Sequence, residues 1–403
     1  MTEGSEEDSA SVARLLVMTY MSEAGFRASP GAFLEQLPVR HPVLDVGPIW
    51  MVSGYDEITS LLGRNCLRTA PELGNVRLPL AESATLAERY ALTLPMRDGD
   101  DHRRLRAITQ PAFTRKRIEA MESAIERQVV RRLDAAIDRG SLEVVEHLAK
   151  PLPMDIAFDM LGVPEGERDD VAQWAITAKE SLLAVSGDVD VELARLDEWT
   201  EKSMRSPSAG TLLELLANAR RDGLLSSDEL LAYVLLLLIN GLDTLTSAIT
   251  VAAFELLRPS AERSHDALTR PRAHAFFEEV LRYHTPVRFT ARALVEDVDI
   301  GGERLPEGDA VLLFFAAANR DPRRFDRPSE FDPHRAPGRH LSFGHGAHKC
   351  IGSHVASLAG SIVVEHLSAR RAWIDLAVDD DEINWSPSLI YRTLDALPLS
   401  IRA

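Results

Sequence analysis

The run from Ser227 to Leu257, SDELLAYVLLLLINGLDTLTSAITVAAFELL, constrains the fold more than any other stretch of the chain. Leu230 to Ile239 carries no charge, but it is too short to span a bilayer and reads as a buried helix. Residues 227–257 form one long helical stretch, with Ser227 as its cap and Glu229 in its first turn. A helix that is apolar on every side has to lie inside a protein, with other elements packed around it. Asp243 and Thr244, in its middle, violate that pattern. In the plain reading Thr244 bonds back to the carbonyl of Asn240 and bends the helix, while Asp243 is paired locally. In the sharper reading a site beside the helix needs an acid and an alcohol.

The rest of the chain is mostly helical, with a few hairpins near its two ends. The fold class is therefore mainly α with small β-sheets (α+β), in a single domain over 1–403. Residues 41–54 read as a hairpin around Gly47-Pro48. From 99 to 140 the pattern is helical, broken at Pro111. Residues 144–162 and 166–184 are helical on either side of GVPEG, and 205–210 form a loop too short to link domains. Residues 271–284 are helical. RALVEDVDIGGERL and DAVLLFFAAA read as strands, with Gly301-Gly302 as a turn. A further helix covers 351–369, and the tail SLIYRTLDALPLSIR reads as a final hairpin.

A net charge of −17 gives an acidic surface that repels phosphate backbones, so no nucleic-acid partner is expected. Two cysteines, Cys66 and Cys350, exclude a disulfide-rich secreted scaffold. The first residues, MTEGSEEDSASVAR, lack a basic region ahead of an apolar core, so no signal peptide is read. No membrane span is expected, and the cytoplasm is the expected location.

The second informative stretch is HLSFGHGAHKCIGSHVA, His340 to Ala356. His340, His345, His348, Cys350 and His354 are all zinc-ligand types, but no Cys-x-x-Cys or second distant cluster occurs. Cys350 just before a helix could also be a nucleophile, with the helix dipole favouring thiolate and His348 two residues away. Nothing nearby supplies an oriented base and an oxyanion hole. The third reading is a thiolate ligand to haem iron. Gly344, Gly346 and Gly352 let the backbone turn tightly enough to aim N–H groups at sulfur. Gly352 also removes a side chain where a flat macrocycle would lie, and Phe343 could shield the sulfur from water.

FGHGAHKCIG resembles the cysteine-ligand loop of the cytochrome P450 family, the haem-thiolate monooxygenases. Phe343, Gly344, Gly346, His348, Cys350 and Gly352 all fall on that motif. Three further stretches resemble the family in its order. Glu279 and Arg282 in FFEEVLRYHTPV match its Glu-x-x-Arg helix, which implies a buried structural charge network joined by Arg335 of FDPHR. Gly241, Asp243 and Thr244 match its distal helix. That implies Thr244 as hydrogen-bond donor and Asp243 as proton relay on the distal side of the haem. Asn240 departs from the small residue usual there, and would narrow the dioxygen cleft or bond to substrate. His102 and Arg106, with Arg292 and His348, match the groups that meet the haem propionates. Residues 316–335 also resemble the family, whereas the lid region, 165–210, is short for it.

The resemblance implies a long distal helix and a cysteine-loop proximal helix that sandwich haem b (iron protoporphyrin IX). It implies insertion of one oxygen atom from O2 into a lipophilic small molecule, by hydroxylation or epoxidation, in natural-product tailoring. No flavin or nucleotide fingerprint appears in the chain, so electrons are expected from NAD(P)H through a separate ferredoxin reductase and ferredoxin. The ferredoxin would dock on basic residues including Lys349. A monomer is expected. The pocket walls are expected from the 70–95 loop, the 174–183 helix, Asn240, Val287, Phe289, Leu389 and Ile390, mostly apolar. Two alternatives stay open: a peroxide-dependent or non-oxygenating haem-thiolate enzyme, and a haem protein without chemistry, either sensor or electron carrier.

Overall fold

The computed structural model describes residues 3–47, 49–69, 72–73, 76–77, 83–183, 189–258, 267–379 and 382–402. The central apolar run is two helices, Ser227–Asn240 and Leu242–Leu257, parted at Gly241. Glycine is a weak helix former. Beside it, Thr244 Oγ1 donates to the Asn240 carbonyl at 3.3 Å, a back-bond of the kind that bends helices. The cap is Ser226 rather than Ser227. Its hydroxyl accepts from the Glu229 N–H at 3.1 Å, and the Glu229 carboxylate accepts from the Ser226 N–H at 2.9 Å. The three-residue spacing required for that reciprocal pair selects the first of the two serines. By length and composition the Ser227–Leu257 run could cross a bilayer, but 67% of its most apolar window is buried inside the protein.

Other helices surround this axis. Leu242–Leu257 packs on Ser353–Arg370, which also packs on Arg270–His284 and Glu122–Arg139. A Cβ at Gly360 would stand 2.2 Å from the Phe277 ring, so these two helices cross closely only because position 360 has no side chain. Arg270–His284 ends at Thr285, a non-glycine residue with φ of +46°. Its hydroxyl donates to the Arg282 carbonyl at 2.9 Å and accepts from Asn319 Nδ2 at 2.9 Å. This strained turn carries the chain from the helix into Val287–Phe289.

The hairpin expected at 41–54 is present as Val43–Asp45 paired antiparallel with Ile49–Val52; Pro48 lies outside the described residues. It continues into a five-stranded sheet. Ile49–Val52 pairs parallel with Ala310–Leu313, which pairs antiparallel with Thr290–Leu294, and that strand pairs with Leu67–Arg68. The segment FFAAA is not part of a strand, because Phe315–Ala318 forms a helical turn. The tail also differs from a self-contained hairpin. Pro398–Ile401 is the middle strand of a sheet between Ile374–Leu376 and Ser141–Glu143. Its partners lie up to about 260 residues away in sequence, so no local pattern could disclose them. The acidic N-terminus, read only for the lack of a signal peptide, forms the helix Glu3–Ser22.

Candidate active site

Cys350 stands at the end of a tight loop just ahead of Ser353–Arg370. Gly344 and Gly346 adopt φ of +68° and +70°, and a Cβ at Gly346 would strike the Leu62 carbonyl. Both glycines are therefore required by backbone geometry. The loop closes on itself through the Cys350 N–H donating to the Phe343 carbonyl at 2.8 Å. A Cβ at Gly352 would stand 3.9 Å from the cysteine sulfur. Protein surrounds Cys350 on nearly every side, yet the residue is accessible. Burial pushes the thiol up, against the Gly352 N–H, Arg106 and Lys349, which pull it down. A thiol held up in this way is a poor free nucleophile, and a metal cation at the sulfur would remove its proton outright.

Beside the sulfur lies a cluster of cationic and imidazole groups. The rings of His102 and His348 are 4.1 Å apart. His348 Nε2 donates to Asp98 Oδ1 at 2.9 Å, and Asp98 Oδ2 accepts from both the N–H and the hydroxyl of Thr69, at 2.7 and 2.8 Å. Burial acts to raise the Asp98 carboxyl, but the hydrogen bonds from His348 and Thr69 outweigh it and hold the carboxyl below its usual range. His102 is buried and its Nε2 has no partner. Desolvation, with the neighbouring charges of His348 and Arg106, lowers its pKa to about 4. Among the described residues Arg292 bonds to Thr290 Oγ1 and the Ala291 carbonyl, at 2.8 and 2.7 Å, and burial lowers its pKa. An orphaned imidazole nitrogen and guanidinium groups gathered at one place suit a ligand that carries two carboxylates, as haem does. Asp98 was not singled out from the sequence, since its partner Thr69 belongs to a different strand region and the contact is long-range.

Glu279, Arg282 and Arg335 come together below this loop, and both Glu279 and Arg282 are buried. Arg282 Nη2 and Nε donate to the two Glu279 oxygens at 2.7 and 2.8 Å, and Arg335 Nε donates to the same carboxylate at 3.1 Å. Arg282 also donates to the carbonyls of Asn319, Pro328 and Glu330. The network therefore spends its donors on backbone of the segment leading into the cysteine loop. Glu278, next in the chain, accepts from His340 Nε2 at 3.2 Å and from Ser357 at 2.7 Å, which ties that segment to the following helix. His345 and His354 are exposed.

Across the protein interior is the break in the central helix. Asn240 and Gly241 are exposed between buried Ile239 and Leu242. Asp243 does not stand free: Lys179 Nζ donates to its Oδ1 at 2.7 Å, linking the Arg168–Leu183 helix to the central axis. Lys179 was not singled out from the sequence. Val287 pairs with Tyr391 in an antiparallel bridge, which brings Val287 and Phe289 beside the tail turn bearing Leu389 and Ile390. Arg288, also missed, clamps that turn. It is buried, and its Nη1 donates to the carbonyls of Ser388, Leu389 and Tyr391 at 2.6, 3.2 and 2.6 Å. Much of the 70–95 loop, and residues 184–188 of the lid, lie outside the described residues.

Comparison with known proteins agrees with this geometry. Residues 264–368 match the Cytochrome P450 family model. The 6-deoxyerythronolide B hydroxylase of Saccharopolyspora erythraea is 32% identical over 382 residues, covering 91% of this chain and 94% of that protein. The cytochrome P450 monooxygenase PikC of Streptomyces venezuelae is 34% identical, covering 88% and 85%. Among solved structures, a myxobacterial cytochrome P450 in complex with myristic acid superposes with a TM-score of 0.83 at 30% identity, covering 96% of this chain and 99% of that one. The chain belongs to the cytochrome P450 family. It is an oxidoreductase of the monooxygenase class that uses haem b and takes its electrons from redox partners.

Proposed function

We propose that the chain inserts one oxygen atom from O2 into a lipophilic small molecule, by hydroxylation or epoxidation, in the tailoring of a natural product. The observation that carries this reading is Cys350. It stands just ahead of a helix N-terminus and beside Arg106 and Lys349, next to the buried His102 whose Nε2 has no partner. Relatives named for polyketide work, among them the polyketide biosynthesis cytochrome P450 PksS of Bacillus subtilis at 28% identity, support the tailoring role.

In this proposal Cys350 ligates the haem iron, while His102, Arg106, Arg292 and His348 meet the propionates. Phe343, Gly344 and Gly352 shape the sulfur's surroundings. Haem supplies oxygen activation when bound, and the thiolate favours O–O cleavage. The residues supply the rest. Asp243 moves protons toward the distal face, alternating between its Lys179 pair and Thr244, whose hydroxyl holds the proton near the reacting atoms. Asn240, Val287, Phe289, Leu389 and Ile390 line the pocket and exclude water. Glu279, Arg282 and Arg335 hold the cysteine-loop scaffold. Residues 1–403 act as one catalytic domain, a cytoplasmic monomer that receives electrons from a ferredoxin and its reductase. A reconstituted assay with such a pair, NADPH and a panel of macrolactone and fatty-acid substrates tests it. Oxygenated product, lost in Asp243→Asn, is the expected result. Product formation from hydrogen peroxide alone, indifferent to Thr244→Ala, would favour the peroxide-dependent reading instead.

A further inference from the structure

Resting on the assignment of Leu389 and Ile390 to the pocket wall, we propose that the N-terminal segment positions that wall through Arg27 and so takes part in choosing the substrate. Arg27 is a positioning residue: it touches the backbone of the tail turn and not the substrate.

Every carbonyl of the turn 387–391 accepts from one of two buried arginines. Arg288 Nη1 takes those of Ser388, Leu389 and Tyr391, and the Arg288 N–H donates to that of Ile390 at 2.9 Å. The remaining carbonyl, of Pro387, accepts from Arg27 Nη2 at 2.6 Å, across 360 positions of sequence. Arg288 lies between Val287 and Phe289, so it sets the shape of the turn from beside the pocket. Arg27 lies on the short helix Ala24–Ala28, so it ties the same turn to a different part of the molecule.

Arg27 is itself fixed from two sides. Its Nη1 donates to the carbonyls of Tyr20 and Met21 at 3.1 and 3.0 Å. These lie at the C-terminal end of Glu3–Ser22, where the last carbonyls lack helical partners and a cation is favoured. In the other direction, Arg392 Nη1 donates to the carbonyls of Arg27 and Ala28 at 3.0 and 3.2 Å, and the Arg392 N–H donates to that of Pro286 at 3.0 Å. Arg392 directly follows the turn, and Pro286 directly precedes Val287. The bonds therefore close a ring that runs from Arg27 to the turn and back through Arg392.

Among the described residues Arg27 bonds to backbone carbonyls alone. A buried guanidinium with no carboxylate is costly, and an apolar contact would join the two segments at lower cost. What the planar fork adds is direction: its two ends hold a helix terminus and a distant turn at once. The N-terminal segment thereby sets where Leu389 and Ile390 stand.

Imidazoles that coordinate haem iron serve as probes. Unsubstituted imidazole reaches the iron without meeting the wall, whereas arylimidazoles of graded length extend to it. Each would be titrated into the holoprotein by the shift of the Soret band. In Arg27→Met the affinity for imidazole should be unchanged, while that for at least one long member changes about tenfold, because the wall it meets is displaced. Arg27→Lys, which keeps the cation but loses the fork, should move the same member in the same direction by a smaller factor, and carries the test alone where Arg27→Met fails to fold. Arg14→Met removes an exposed bond from the Glu3–Ser22 helix to the Asp45 carbonyl and should leave every affinity unchanged. Unchanged affinities in the Arg27 variants, an equal change for imidazole itself, or the same change in Arg14→Met overturns the proposal. A thiolate-type carbon monoxide spectrum recorded first on the same samples keeps this failure distinct from failure of the haem reading.

Discussion

The two faces of the proposed haem site are built in opposite ways. On the proximal side, charged groups are matched inside the protein. Glu279 serves two arginines, Arg282 serves three carbonyls, and Glu278 joins His340 to Ser357. On the distal side, a single ion pair bridges two helices. Lys179 donates to Asp243 beside the helix break at exposed Asn240 and Gly241. Paired buried charges fix a geometry, because removing one partner strands the other. A single, partly exposed pair leaves its carboxylate free to change partner. The contrast separates a scaffold, which should be sensitive in stability, from a reaction chamber, which should be sensitive in turnover.

The sharpest way to break this contrast is Glu279→Ala. It leaves two guanidinium groups without their carboxylate, one of them fully buried, and should cost about 3–5 kcal/mol of stability. Urea denaturation followed by circular dichroism measures it, and a cost below 1 kcal/mol would show that the network is not holding the scaffold. Next in size is Asp243→Asn, which should lower turnover about a hundredfold through loss of proton delivery while unfolding at an unchanged urea midpoint. A comparable loss of stability would place Asp243 with the scaffold instead. Arg288→Met sits between the two classes. It should leave the thiolate spectrum intact but raise amide exchange in residues 388–391 about tenfold, because three carbonyls lose their clamp. Unchanged exchange there would mean that the turn is held by other contacts.

A smaller effect is expected from pH. His284 is fully buried, donating from Nε2 to Glu255 at 2.7 Å, and burial lowers its pKa from 6.5 to about 4. The unfolded chain therefore binds one more proton than the folded chain between these values, so stability should fall as pH drops through that window. His284→Gln should flatten the dependence by close to one proton, read from urea midpoints at several pH values. An unchanged slope would show that His284 is already protonated in the fold.

Legibility from the sequence followed the distance between interacting residues. The cysteine loop was legible because its glycines, phenylalanine and cysteine act on one another within ten positions. The Glu279–Arg282 pair was legible for the same reason, being one helical turn apart. The long apolar run was recognised as the central axis, but its break at Gly241 was not placed. Propensity alone does not say where an interrupted helix yields. Asp98 with Thr69, Lys179 with Asp243, and Arg288 with the tail turn all join segments far apart in the chain. Their residue types are ordinary surface types, so without the fold each reads as a solvated side chain. The tail strand was misread for a related reason, as its partners at 141–143 and 374–376 are chosen by packing rather than by a turn.

The central claim is that Cys350 holds iron through its sulfur. The difference spectrum of the dithionite-reduced, carbon-monoxide-bound holoprotein tests it most directly. The account predicts the strongly red-shifted Soret band of thiolate-ligated haem in the wild type, and its absence in Cys350→His. A wild-type band at the position typical of imidazole-ligated haem, or protein that binds no haem under haem-replete expression, would contradict it.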